Sequence, residues 1–126
     1  METIIENCKA IAKFIEIEFK DRNVYLGGHK FYNMNFWTTK QAEKTFYNEA
    51  KYHLSYDWLI PVVDKIELID FTIVTINKFG VRIVTTDIND KVLFSIHPKI
   101  CNFDNSKIDT LYNAVTRFIE WYNLEY

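Results

Sequence analysis

Apolar residues recur at helical spacing near both ends of the chain, which predicts an amphipathic helix at each end. The first stripe consists of Ile4, Ile5, Cys8, Ile11, Ala12 and Ile15. The second stripe consists of Ile108, Leu111, Tyr112, Val115, Phe118, Ile119 and Tyr122. We expect the first helix to end before Asp21, and we expect Ser106 with Asp109 to cap the start of the last one.

A third helix is predicted from about Thr39 to Tyr52. Thr38 followed by Gln41 fits a capping box, in which the hydroxyl and the side-chain amide each satisfy a backbone N–H at the helix start.

A fourth helix is expected to begin at Ser55, with Asp57 placed where a negative charge suits the helix dipole. Proline inside a helix removes a hydrogen bond and clashes with the preceding turn. The segment 56–69 is therefore either a helix kinked at Pro61 or a helix that begins near Ile60.

The segment 30–37 has the period of a half-buried strand, because Tyr32, Met34 and Phe36 alternate with Asn33 and Asn35. Just before it, the stretch 20–30 contains Gly27-Gly28 and is typical of a loop, a turn or a short hairpin.

Three β-rich runs at 71–77, 81–86 and 91–97 predict a β-meander, because connectors of hairpin length separate them. Gly80 and Asn89 supply residues that tolerate a positive φ in those connectors. The expected order is α-β-α-α-β-β-β-α. It predicts an α+β fold with a mainly antiparallel sheet packed against amphipathic helices.

The composition is that of an ordinary globular domain, apart from its aromatic content. The 126 residues are 48% hydrophobic and 25% charged, which suits a single domain over 1–126. Aromatic residues make up 17% of the chain, so they either fill an aromatic-rich core or leave rings on a binding surface.

The net charge and the cysteine spacing limit the classes of partner and the cellular compartment that we expect. The net charge of −2 gives no overall attraction to nucleic acid or anionic lipid, and no stretch is apolar enough to span a membrane. Cys8 and Cys101 have no CxxC spacing and are expected to be free thiols. We therefore expect a cytoplasmic protein without a membrane or nucleic-acid partner.

The segment 52–67, with the sequence YHLSYDWLIPVVDKIE, resembles a family of small uncharacterised proteins from Bacteroidetes and their phages. The closing segment 118–123, FIEWYN, fits the same family, and the resemblance covers roughly the second half of the chain. Tyr56 stands where the family pattern has a second Trp, and Ile60 stands where it has Met. The resemblance implies a phage or prophage context in a bacterial host, and it implies no activity.

His53 and Asp57 are four residues apart, so a continuous helix would bring the imidazole and the carboxylate to one face, as a general base requires. If Ser55 caps the helix, however, the helix is interrupted between them. Asp57 is then explained by the helix dipole, and His53 is a surface or packing residue. We favour this second interpretation.

Tryptophan joins a large contact area to one N–H, so Trp58 and Trp121 are candidate interface anchors. Trp58 is also well placed for the core, whereas Trp121 falls off the main apolar stripe of its helix. Tyr52, which opens the family-like segment, is grouped with His53 and Asp57 as a further candidate binding residue.

Metal and phosphate motifs are absent from the sequence. His29, His53 and His97 lie in three different elements without ligand spacing, so no metal and no cofactor is expected. Lys78, Arg82 and Lys91 either gather as an anion-binding patch on the meander or are edge and turn charges that discourage strand association.

Without a catalytic motif, the sequence favours a non-enzymatic phage or prophage accessory protein that binds a protein partner or a second copy of itself. Two alternatives stay open. One is a protein that binds and sequesters a small ligand or nucleotide by aromatic stacking and basic side chains. The other is an enzyme that uses His53 and Asp57.

Overall fold

The computed structural model describes residues 2–98 and 107–125, and the chain divides into two compact units, Met1–Lys51 and Tyr52–Tyr126. The described residues contain four helices and two three-stranded antiparallel sheets, which confirms the α+β class. The prediction of a single domain concerns the two units together and stays a prediction.

The first unit contains two helices and one small sheet. Its elements are α1 (Glu2–Phe14), β1 (Glu18–Lys20), β2 (Asn23–Leu26), β3 (His29–Lys30) and α2 (Thr39–Glu49). Helix α1 ends before Asp21, as predicted, although Ile4 and Ile5 are exposed while the rest of its stripe is buried. Phe46 of α2 is fully buried and makes edge contacts with the rings of Phe19 and Phe31.

The strand predicted over 30–37 is wrong, because the sheet of the first unit lies earlier, within 18–30. Gly27 and Gly28 both have a positive φ and close the two-residue turn between β2 and β3, so the stretch is a hairpin. Strand order is β1-β2-β3, with each neighbouring pair antiparallel.

Residues 31–38 form no strand. Their polar groups bond to side chains and to distant backbone groups, and they form no ladder with a neighbouring strand. The fully buried Asn23 donates through Nδ2 to the carbonyl of Met34 at 3.1 Å and to Oδ1 of Asn35 at 2.8 Å. The Phe36 N–H donates to the carbonyl of Arg22 at 2.9 Å. The alternation seen in the sequence thus reflects packing between the rings of Tyr32 and Phe36, whose centroids are 4.9 Å apart.

The second unit contains a meander and two helices. Its elements are α3 (Tyr56–Glu67), β4 (Thr72–Asn77), β5 (Gly80–Thr86), β6 (Val92–Ile96) and α4 (Lys107–Glu125). The order β4-β5-β6 confirms the predicted meander. Helix α3 runs from Tyr56 through Pro61, so the alternative that it begins near Ile60 is wrong.

The core of the second unit forms between the helices and one face of the sheet. Alternate residues of β5, namely Val81, Ile83 and Thr85, are buried, and α4 packs against β5 and β6. From the helices come Leu59, Val62, Val63, Ile66, Leu111, Val115, Phe118 and Ile119, all of them buried. Helix α3 packs against β4, so both helices lie on one side of the sheet.

The β5–β6 connector differs from the prediction in one detail, because Asp90 rather than Asn89 has the positive φ. Oδ1 of Asp87 accepts the N–H groups of Asn89 and Lys91, at 2.8 Å and 2.9 Å. These two bonds close the turn and place the left-handed residue just before Lys91.

The predicted helix caps have different outcomes. Oγ1 of Thr38 accepts the Gln41 N–H at 3.0 Å, and Oε1 of Gln41 accepts the Trp37 N–H at 2.9 Å, which confirms a cap of the capping-box type at α2. Ser55 occupies the N-cap position of α3, but its side chain makes no capping bond, so that part of the prediction is wrong. The cap predicted at Ser106 lies outside the described residues.

The two cap positions should respond differently to alanine. Thr38→Ala loses the bond to Gln41 and should lower the free energy of unfolding by about 1 kcal/mol. Ser55→Ala loses no such bond and should stay within about 0.5 kcal/mol of the parent in urea denaturation. Equal losses in the two variants would contradict this assignment.

Helix α4 provides a matched pair of leucines, because Leu111 is fully buried and Leu124 is largely exposed. Leu111→Ala should lower the free energy of unfolding by about 2 to 5 kcal/mol through lost burial and a cavity. Leu124→Ala is the control and should change it by less than about 0.5 kcal/mol. A denaturation midpoint for Leu111→Ala within error of the parent would remove α4 from the core.

Candidate functional site

The structure does not assemble His53 and Asp57 into a catalytic pair. Helix α3 begins at Tyr56, so His53 lies before it in a turn, while Asp57 is exposed in its first turn. No hydrogen bond or ion pair joins the two side chains within the described part of the chain. The His53 ring instead approaches the ring of Tyr112, with centroids 6.1 Å apart.

Tyr52 and Trp58 pack on each other. Their ring centroids are 5.0 Å apart in an edge-to-face arrangement. Tyr52 is buried and offers a partner almost no surface, whereas Trp58 is half-buried. Their contact therefore serves the packing of the second unit, and it leaves little of the pair available to a binding partner.

Trp121 also has aromatic neighbours within its own unit. Its ring centroid lies 5.0 Å from that of Phe94 on β6 and 5.6 Å from that of Phe118 on α4. The side chain is half-buried, so part of the indole packs on the sheet and part of it is accessible. As an interface anchor, Trp121 stays a prediction.

The candidates for metal or anion binding are dispersed. No group of three potential ligand residues occurs among 2–98 and 107–125. Lys78 lies in the β4–β5 turn, Lys91 lies beside the β5–β6 turn, and Arg82 lies between these ends on β5. The three basic residues therefore do not gather at one end of the meander.

Two side chains with raised pKa values are poor nucleophiles near neutral pH. Burial raises the pKa of the free Cys8 thiol to about 11, so this thiol is protonated and unreactive there. Burial, together with the nearby Glu49 carboxylate, raises the pKa of Tyr32 to about 12. Neither group is activated for nucleophilic catalysis.

An open groove of about 600 Å³ lies at the end of the second unit where α3 runs into β4. The end of α3, the following turn, the β5–β6 connector and Tyr122 of α4 form its walls. Four of its apolar side chains are exposed, which is unusual for residues of this size. They are Leu68, Phe71, Ile88 and Leu93.

Phe71 in this groove has a left-handed backbone, with φ of 61°. A bulky residue rarely adopts this conformation, which costs about 1 to 3 kcal/mol. Backbone bonds fix it in place, because the Phe71 carbonyl accepts the Thr86 N–H at 3.0 Å and the Thr72 N–H donates to Ile69 at 3.2 Å. Phe71 as a residue nevertheless remains 56% exposed.

The charges around the groove are mainly negative. Asp70 and Asp87 line it together with a single basic residue, Lys65. Oδ1 of Asp87 already accepts a backbone N–H within the β5–β6 connector. Asp70, in contrast, is exposed to solvent. This arrangement favours a basic ligand over a phosphate.

The residues of the groove were not among the sequence-derived candidates. A signal for two of them was present, because Leu68 and Ile88 stand in turns where polar residues are the rule. They are 78% and 80% exposed. No sequence signal marks Phe71, since a phenylalanine gives no indication of a positive φ.

Comparison of the chain with protein-family models, curated proteins and solved structures found no match. No described helix has the length and the apolar character that a membrane span needs.

A double-mutant cycle tests whether His53 and Asp57 act together. Because no hydrogen bond or ion pair joins the two side chains in the described part of the chain, the effects of His53→Ala and Asp57→Ala on the free energy of unfolding should add to within about 0.5 kcal/mol. Denaturation of the parent, both single variants and the double variant gives the coupling energy. A coupling above about 1 kcal/mol would show that the pair interacts and would revive the enzymatic alternative.

Proposed function

We propose that the chain is a non-enzymatic interaction protein whose second unit binds a protein partner in the groove beside Phe71. The observation that supports this most is the exposed Phe71 ring on a strained backbone. A glycine would satisfy the same backbone without strain, so a phenylalanine at this position costs stability. Its ring is the natural anchor for a partner.

The form of the groove supports a macromolecular partner. Its apolar side chains stand on an open rim, where they can meet an apolar surface or segment of another protein. A small ligand would gain more from a closed pocket that covers most of its surface. We therefore propose a partner segment with apolar side chains.

The charges define the partner further. Two carboxylates at Asp70 and Asp87 against one ammonium at Lys65 attract a basic residue next to the apolar anchor of the partner. We propose a lysine or arginine at that position.

The setting of this proposal rests on the resemblance of the segments 52–67 and 118–123. It is that of a phage or prophage accessory protein acting in the cytoplasm of its bacterial host. The site does not depend on that setting, because it follows from the groove alone.

A small ligand is the second candidate, because a volume of about 600 Å³ lies within the range of ligand pockets. The negative rim argues against a nucleotide. Stabilisation of the parent by the low-molecular-mass fraction of a bacterial lysate, with loss of that effect in Phe71→Gly, would favour this candidate over a protein partner.

Phe71→Gly should remove the anchor without unfolding the protein. Relief of strain offsets the lost ring contacts and the added chain entropy of glycine, so the free energy of unfolding should stay within about 1 kcal/mol of the parent. Partner capture from a bacterial lysate, read by mass spectrometry, should fall to background. Ile88→Asp, which puts a charge on the rim, should give the same loss.

Trp37→Ala is the matched control, because this indole is 88% exposed and belongs to the first unit. It removes a large exposed ring and should leave capture unchanged. Capture of the same proteins by the parent, Phe71→Gly and Ile88→Asp would contradict the groove as the binding site.

A further inference from the structure

Strand β4 is an edge strand whose outer backbone groups can be assigned from its register. Among the described strands it pairs with β5 alone, at the edge of the order β4-β5-β6. The Phe71 carbonyl accepts the Thr86 N–H at 3.0 Å, so Phe71 and Thr86 form a hydrogen-bonded pair. Because such pairs alternate along an antiparallel ladder, Ile73, Thr75 and Asn77 also bond toward β5.

The residues between them direct their N–H and C=O groups away from β5. These are Thr72, Val74 and Ile76. The Thr72 N–H is taken by the Ile69 carbonyl at 3.2 Å. The outward groups of Val74 and Ile76 have no hydrogen-bond partner among residues 2–98 and 107–125. This edge therefore presents two residues ready to bond another strand.

The edge also lacks the usual protection against pairing. Edge strands commonly carry a charged side chain, a proline or a bulge. Strand β4, with the sequence TIVTIN, has none of these, and its register with β5 is continuous. The side chains on the face of β4 that the helices do not cover stay accessible, since Ile73 is 67% exposed. The opposite edge differs, because the β5–β6 register shifts between Thr85 and Thr86.

We propose that β4 pairs antiparallel with β4 of a second copy of the chain, about a two-fold axis at Thr75. Val74 of each copy then bonds to Ile76 of the other, and the two meanders become one six-stranded sheet. Each Thr75 side chain faces its own equivalent in the second copy.

Complementarity between the two ends of β4 identifies a second copy as the occupant. Asp70 and Phe71 precede the strand, and Lys78 and Phe79 follow it. Antiparallel pairing about Thr75 brings the start of each strand beside the end of the other. A carboxylate then lies near an ammonium, and exposed Phe71 lies beside exposed Phe79, at both ends of the pair. The two-fold axis makes each of these contacts twice.

The strand itself adds no repulsion to this arrangement. All six residues of β4 are uncharged, so the two copies approach without like charges facing each other across the central pairs. The isologous contact uses the same surface on both chains and therefore closes as a dimer instead of growing into a fibre.

Charge placed at Thr75 tests the pairing. Thr75→Lys puts two ammonium groups opposite each other and should raise the dimer dissociation constant by about tenfold or more, and Thr75→Glu should do the same. An equimolar mixture of the two variants should restore dimerisation, because lysine then faces glutamate. Sedimentation velocity over a concentration series measures the dimer dissociation constant of each variant and of the mixture. Circular dichroism checks that the variants are folded.

Ser95→Lys is the matched control, because Ser95 is an exposed residue of β6, the opposite edge of the sheet. It should dimerise as the parent does. A parent that sediments as a monomer at about 100 μM, a concentration that detects even weak pairing, would overturn the proposal. It would also be overturned if Thr75→Lys dimerises like the parent, or if the mixture of variants stays monomeric.

Phe71 belongs to both surfaces, because it lines the groove and lies at the end of the proposed strand pair. The two proposals can still fail separately through Thr75, which belongs to the strand pair alone. Thr75 does not line the groove, so Thr75→Lys should still capture the groove partner from lysate. Loss of capture in Phe71→Gly, with normal dimerisation of the parent and of Ser95→Lys, would support both sites.

Discussion

The packing of α4 on β5 is the interaction on which the second unit depends. Leu111, Val115 and Phe118 bring a fully buried helix face to a strand whose alternate side chains, Val81 and Ile83, are fully buried as well. A small antiparallel sheet needs a hydrophobic face or packing against a helix to be stable, and α4 provides that packing here. It is the helix layer that fixes which face of the sheet is covered and which stays open.

Because one helix layer packs on one face, other parts of the sheet stay uncovered. Within the part of the chain that the structure describes, the sheet has three strands and the helices α3 and α4 lie on one of its faces, so two edges and the other face have no helix over them. One edge is interrupted by a register shift, and the end beside α3 opens into the groove. Both proposed sites lie where this small sheet leaves groups uncovered: apolar side chains in the groove, and backbone N–H and C=O groups at the edge of β4. A partner that binds there would cover them.

The sequence predicted best the elements whose signal is repeated many times. Helix α4 and the meander each rest on several residues with one period, so single exceptions do not alter them. The segment 30–37 had only three alternating residues, and Asn23, which holds that segment in place, lies outside the pattern itself. The groove depends on the backbone angle of Phe71, which tertiary contacts impose and which the residue type does not suggest.

The bonds of the fully buried Asn23 also bear on which part of the first unit unfolds most easily. Its Nδ2 donates to the Met34 carbonyl and to Oδ1 of Asn35, and its own Oδ1 accepts the Val24 N–H at 2.9 Å. Segment 31–38 is therefore attached by a few specific bonds and by the contact of the Phe31 ring with Phe46, whereas the helices are held by burial of whole faces. Local unfolding follows such differences. Amide hydrogens of this segment should exchange with solvent through a small opening that leaves α1 and α2 intact, which makes the segment a separate cooperative unit of low stability.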